Sequence, residues 1–162
     1  MDDVVLDQSR RELRVMSAAA GLEFFRSMAD WRSMLTLTFE NPTGGDVAMV
    51  RWRGLVRYLN WDAFGKHYTQ RVGHSYFSYV LGVERQRRDV IHFHAVIGSP
   101  VKYDQVHWWW NKYAGWAWIS GVESVDSAVG YVTKYVLKGG EVHGYRSRTS
   151  LVPSSLTHLQ TQ

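Results

Sequence analysis

From residue 33 to 40 the chain reads SMLTLTFE, with Leu35, Leu37 and Phe39 alternating against Thr36, Thr38 and Glu40. Successive side chains of a strand point to opposite faces, so this pattern predicts a half-buried strand. The same alternation returns twice. In YFSYVLGVE (76–84), Phe77, Tyr79, Leu81 and Val83 form an apolar face, and Ser78, Val80, Gly82 and Glu84 lie opposite. In VIHFHAVIG (90–98), Ile91, Phe93, Ala95 and Ile97 point one way while His92 and His94 point the other. The charged segment RQRRD between them reads as a hairpin turn, and WAWISGVE (116–123) as a further short strand. Helical spacing appears in 9–29, where Leu13, Met16, Ala20 and Phe24 recur, and 103–113 also reads as helix. Another helix follows the NPTGGD loop, with Asp46 as its expected cap, and runs to about Trp61. A last helix starts at Ser124 as cap and stops at Gly139-Gly140. From Glu141 onward the chain is polar and reads as loop or tail.

The middle of this order is β-α-β-β-α-β. It predicts an α+β fold with a mostly antiparallel sheet of four to five strands and helices packed on it, ferredoxin- or RRM-like. A chain of 162 residues suits a single domain over 1–162: an N-terminal helical extension (1–30), a core (33–140) and a tail (141–162). Hydrophobic residues at 45% and charged residues at 21% place it among ordinary globular proteins. It has no apolar run near the ~18 residues that span a membrane, and MDDVVLDQSRREL lacks the apolar core of a signal peptide, so a cytoplasmic location is expected. There is no cysteine, so any metal must be held by His and carboxylates. The net charge of +4 and pI of about 9.4 are compatible with a polyanionic partner.

Chemistry concentrates in two places. If 76–84 and 90–98 form a tight hairpin, Glu84 sits beside His92 and Gly82 beside His94. Two imidazoles and a carboxylate then share one side of the sheet, a three-ligand arrangement with open positions for water or substrate oxygen. The plainer alternative is two polar histidines on a solvated face, with Glu84 pairing to Arg85 or Arg88. The second place is YVTKYVLK (131–138), where Tyr131 and Tyr135 share a helical face and Lys134 and Lys138 each follow a tyrosine by three residues. A phenol of pKa about 10 is a poor nucleophile unless a nearby cation eases its ionisation. The alternative is two amphipathic core tyrosines above a solvated lysine face.

MLTLTFENP, IHFHAVI and AVGYVTKYVLK occur in that order. Together they resemble the three motifs of rolling-circle replication initiators in the HUH endonuclease superfamily. The paired tyrosines are similar to its two-tyrosine branch, and the stretch from GVE to YVTKYVLK resembles initiators of microviruses and related plasmids. The resemblance spans roughly residues 33–140. It implies that His92, His94 and Glu84 hold Mg²⁺ or Mn²⁺, that Tyr131 and Tyr135 are nucleophiles, and that Lys134 is a charge or positioning partner. It implies nicking and joining of single-stranded DNA at an origin or hairpin, through a 5′-phosphotyrosine and a free 3′-OH. No helicase or primase segment accompanies these motifs, so unwinding and synthesis would fall to a host helicase and polymerase. No small-molecule cofactor and no membrane contact are implied.

Cations and stacking surfaces are the expected DNA contacts. Arg51, Arg53 and Arg57 lie on one helix, and Arg85, Arg87 and Arg88 on a turn. Trp108 and Trp109 with Lys112 form an aromatic run, continued by Trp110; the three point in different directions, so at least one belongs to the core. Lys138, Tyr145, Arg146 and Arg148 extend the basic set past the last helix. For each patch a solvated face is the alternative. Two rival functions remain: an HUH-type single-stranded DNA transposase, and a non-catalytic single-stranded nucleic-acid-binding module. The latter predicts aromatics exposed on the open sheet face, where the sequence places Thr36, Thr38, Glu84, His92 and His94 instead.

Overall fold

The structure, a computed structural model, describes residues 18–87, 89–137, 140–149 and 153. Arg88, Lys138, Gly139, the side chain of Tyr135 and the expected helical turns before residue 18 lie outside the described residues. The described elements are α1 (Ala18–Met28), β1 (Ser33–Phe39), α2 (Gly45–Phe64), α3 (Tyr68–Val72), β2 (Tyr79–Arg85), β3 (Ile91–Ile97), α4 (Tyr103–Tyr113), β4 (Gly115–Gly121), α5 (Val125–Leu137) and β5 (Glu141–Tyr145).

The alternating segments pair as one five-stranded sheet in the order β4-β1-β3-β2-β5, and every neighbouring pair is antiparallel. The architecture is the expected α+β, with three differences in detail. Glu141–Tyr145 is a strand that pairs with β2, not a tail. Its short run EVHGY carries one strongly apolar position, Val142, so alternation alone did not mark it. Strand β2 begins at Tyr79, because Tyr76 and Phe77 donate their backbone amides to Asn60 Oδ1 and Ser75 Oγ at 2.8 and 3.1 Å. Asp46 is not the cap of α2. Gly44 holds that position without a side-chain hydrogen bond, and Asp46 lies inside the first turn, where its charge faces the positive end of the helix. Ser124 does cap α5: its Oγ accepts the Ser127 amide at 3.1 Å.

The two sheet faces are buried differently. On one, Leu35, Leu37, Phe39, Leu81, Ile91, Phe93 and Ile97 pack against Trp52, Leu55 and Val56 of α2 and Val106 and Trp110 of α4. Phe93 is fully buried at the centre, edge-on to Phe39 and Trp52 with centroids 5.5 and 6.4 Å apart. Truncating such a ring to alanine typically costs about 3–5 kcal/mol. Gly54 lets the two helices approach, since a Cβ there would sit 2.8 Å from the Trp109 ring. On the opposite face only one end is covered. Phe25 and Met28 of α1, Trp31 and Ala128 of α5 pack on Val80, Val96 and Val142. Arg26 pairs with Asp126 across the two helices.

Candidate active site

The uncovered end of that second face is where the polar positions of the strands collect. In β2–β3, Glu84 stands opposite His92 and Gly82 opposite His94, the register expected from a tight hairpin. In β1–β3, Thr38 faces His92 and Thr36 faces His94. In β1–β4, Trp116 faces Thr38 and Trp118 faces Thr36. Two rows therefore cross the sheet: Trp116–Thr38–His92–Glu84 and Trp118–Thr36–His94–Gly82. The histidines sit on β3, which has neighbours on both sides, so their backbone positions are held by hydrogen bonds to β1 and β2.

Helix α5 crosses above the second row and brings Tyr131 onto His94. The Tyr131 hydroxyl hydrogen-bonds His94 Nδ1 and lies 2.9 Å from Thr36 Oγ1. The two rings meet edge-on, with centroids 5.2 Å apart and planes at 80°. On its other side His94 Nε2 lies 2.9 Å from Glu84 Oε2. Gly82, opposite His94, has no side chain to stand between them.

The direction of these bonds follows from their chemistry. An ionised carboxylate only accepts, so Nε2 carries the proton and donates it to Glu84. Burial pushes the His94 imidazole below its ordinary pKa, more strongly than the Glu84 hydrogen bond raises it, so the ring is neutral at pH 7. Nδ1 is then an acceptor, and the Tyr131 O–H donates to it. Thr36 O–H is left to donate to the Tyr131 oxygen. The result is a directed series, Thr36 to Tyr131 to His94 to Glu84, in which a nucleophile faces a base that a carboxylate orients. Burial also raises the Tyr131 pKa, against the lowering effect of the Thr36 bond, so ionising this phenol needs assistance.

Lys134, one turn along α5, is exposed, and its charge also depresses the His94 pKa. His92 is half-buried. With Glu84, Arg85, Gln86, Arg87 and Val90 it lines an open groove of about 540 Å³ that carries two guanidinium groups. Among the described residues, no three His, Asp or Glu side chains converge on one point. The donor chemistry nevertheless suits a divalent cation. The 2.9 Å between His94 Nε2 and Glu84 Oε2 matches the roughly 3 Å that separates adjacent ligands of one ion when each bond is about 2.1 Å. His92 is on the same face and directly opposite Glu84.

The structure thus gathers His92, His94, Glu84, Tyr131 and Lys134 in one region, with Arg85 and Arg87 alongside. A model for the family described as Replication-associated protein ORF2 matches residues 32–140. The chain belongs to this family of replication-associated proteins. No curated protein and no solved structure matches it. The family match begins just before β1 and ends after α5, so it takes in both cross-strand rows and the tyrosine helix.

Other expected contacts in this family member lie elsewhere. Arg51, Arg53 and Arg57 on α2, and Trp108, Trp109 and Lys112 on α4, belong to the helical layer on the opposite sheet face. There Trp110 is the fully buried member of its run, Trp109 stacks on Tyr58, and Lys112 Nζ sits 4.9 Å over the exposed Trp108 ring. Tyr145 stacks on Tyr79 in β2, also on that side. The open face, by contrast, does carry aromatics: Trp116 and Trp118 are 64% and 69% exposed. This corrects the expectation of a face without them. The signal was present in the alternation of WAWI, where Trp116 and Trp118 oppose Ala117 and Ile119, but which face they joined depended on the pairing of β4 with β1.

Proposed function

We propose that this replication-associated protein is a metal-dependent nickase and ligase of single-stranded DNA, of the HUH two-tyrosine type, that starts rolling-circle replication. The observation that supports it most is the Tyr131 hydroxyl held between Thr36 and His94, with Glu84 behind the imidazole.

His92, His94 and Glu84 would hold Mg²⁺ or Mn²⁺, and the ion would supply Lewis-acid polarisation of the scissile phosphate. The chain's own groups account for the rest. The proton of Tyr131 Oη passes to His94 Nδ1 as Nε2 gives up its own. The phenolate is then held by Nδ1–H and Thr36 O–H while it attacks phosphorus. The 3′ oxygen leaves, and a 5′-phosphotyrosine forms. Lys134 places a positive charge beside the reacting groups, which offsets the burial that raises the phenol pKa. Because the phosphotyrosine keeps the energy of the phosphodiester, a 3′-OH can attack it and rejoin the strand without ATP. Tyr135, one helical turn after Tyr131, would provide a second attack while the first end stays attached. Arg85 and Arg87 beside the groove suit the strand's phosphates.

A non-catalytic binder is the second reading, and the exposed Trp116 and Trp118 favour it. The two separate on a denaturing gel. Mixed with labelled single-stranded DNA and Mn²⁺, the nickase gives a covalently shifted band that EDTA prevents; a binder gives none.

A further inference from the structure

We infer that Trp116 and Trp118 form a base-stacking platform that positions single-stranded DNA across the sheet for reaction at Tyr131. This rests on the DNA-nicking reading and adds to it the surface that grips the bases.

Both tryptophans are among the most exposed large apolar side chains of the structure, at 64% and 69%. Flat rings so exposed are costly to leave in water, and here they are not scattered. Each belongs to one of the two cross-strand rows: Trp116 with Thr38, His92 and Glu84, and Trp118 with Thr36, His94 and Gly82. Neighbouring strands are about 4.8 Å apart, so each indole is rooted roughly 10 Å from the histidine in its row. Residues two apart along a strand are separated by about 7 Å, so the pair offers successive faces along β4. The threonines between indole and imidazole are short and leave the path across β1 open. Beyond the histidines, at the other side of the sheet, Arg85 and Arg87 line the groove next to His92 and Glu84.

A ligand that fits this order has flat rings at one end of the track and negative charge at the other, with a phosphate at His94 in between. Single-stranded DNA has that chemistry, and a duplex hides its base faces. Stacking is tolerant of base identity, so the platform grips and positions without selecting a sequence. Trp108 does not fit the role, because it lies on the opposite sheet face beside Tyr58 and Lys112.

The test uses binding, not cleavage. A fluorescent oligothymidylate is titrated with the wild-type chain, with Trp116→Ala, Trp118→Ala and the double variant, and with Trp118→Phe. An oligonucleotide of equal length carrying abasic sites is run in parallel. The expected result is a loss of about 5- to 150-fold for each alanine variant, with Phe retaining most of the affinity. The wild-type chain should prefer the oligothymidylate to the abasic strand, and the double variant should bind the two alike. Unchanged affinity in the double variant, or equal wild-type affinity for both strands, overturns the platform. So does a result in which the double variant changes only the oligomeric state, which would make the β4 edge a self-association face. Since the substrates need not be cut, a missing covalent band would refute the nicking reading without touching this result. A covalent band with unchanged binding by the variants would refute the platform alone.

Discussion

Replacing Tyr131 by Phe removes one oxygen and leaves the ring, so its effect on the fold follows from the hydrogen bonds of that oxygen. The hydroxyl bonds to His94 Nδ1 and Thr36 Oγ1. A side-chain hydrogen bond contributes about 0.5–1.5 kcal/mol net, and Tyr131 and Thr36 are only half-buried, so water can partly replace what is lost. The expected cost is about 1–3 kcal/mol, or roughly 2–12 °C in melting temperature for a chain of this size. Thr36→Val removes one of the two bonds and should cost less. The double variant should fall short of the summed single costs by about 0.5–1.5 kcal/mol, because the Thr36–Tyr131 bond is counted in both. In the cleavage assay Tyr131→Phe should lose its own adduct, and any adduct that remains should map to Tyr135. Denaturant melts of the four proteins with a denaturing gel alongside give both answers. Additive costs, or a Tyr131→Phe protein that melts like wild type and forms adduct at the wild-type level, would show that the hydroxyl is neither held on the sheet nor used.

Glu84→Gln keeps a hydrogen-bonding partner for His94 but removes the charge, and should slow cleavage about 10- to 100-fold with little change in melting; an unchanged rate would take Glu84 out of the site. EDTA should abolish cleavage while oligothymidylate binding persists, and full cleavage in EDTA would remove the metal from the account. Since burial holds the His94 pKa below 6.5, the unfolded chain takes up a proton below that pH that the native site resists. Stability from this residue is therefore present above about pH 6.5 and lost as pH falls. Wild-type melting temperature should drop further on acidification than that of His94→Gln, and equal slopes would refute the assignment. Gly115→Ala places a Cβ against the Thr38 carbonyl and 2.6 Å from the Glu40 amide nitrogen, so β4 must shift away from β1. It should cost about 1–3 kcal/mol and weaken oligothymidylate binding through Trp116 and Trp118; a variant as stable as wild type would contradict the close pairing.

The parts legible from sequence were those with a strict period. β1, β2 and β3 alternate so regularly that the facing of Glu84 on His92 followed from the hairpin alone, and the structure has that register. What periodicity cannot carry is the relation between distant elements. That Tyr131 lies over His94, not elsewhere on the sheet, depends on how α5 crosses it. The contact to Thr36 joins residues 95 positions apart. The rows ending in Trp116 and Trp118 needed the order of strands, since WAWI alternates but does not say which neighbour it pairs with. Strand β5 was lost because His143 and Gly144 are buried by context and not by hydrophobicity. The basic and aromatic residues of α2 and α4 were counted as DNA contacts by type; the layer they occupy, behind the sheet, is set by Trp52, Leu55, Val106 and Trp110.

The central claim is that Tyr131, held on His94, attacks DNA. The most direct measurement is the mass of the tryptic peptide that carries DNA after reaction of the wild-type chain with single-stranded DNA and Mn²⁺ and digestion of the strand. The account gives a nucleotide joined through phosphate to Tyr131, with a second population on Tyr135, and neither when EDTA is present. An adduct on a residue outside α5, or strand cleavage with no protein-linked product, would contradict it.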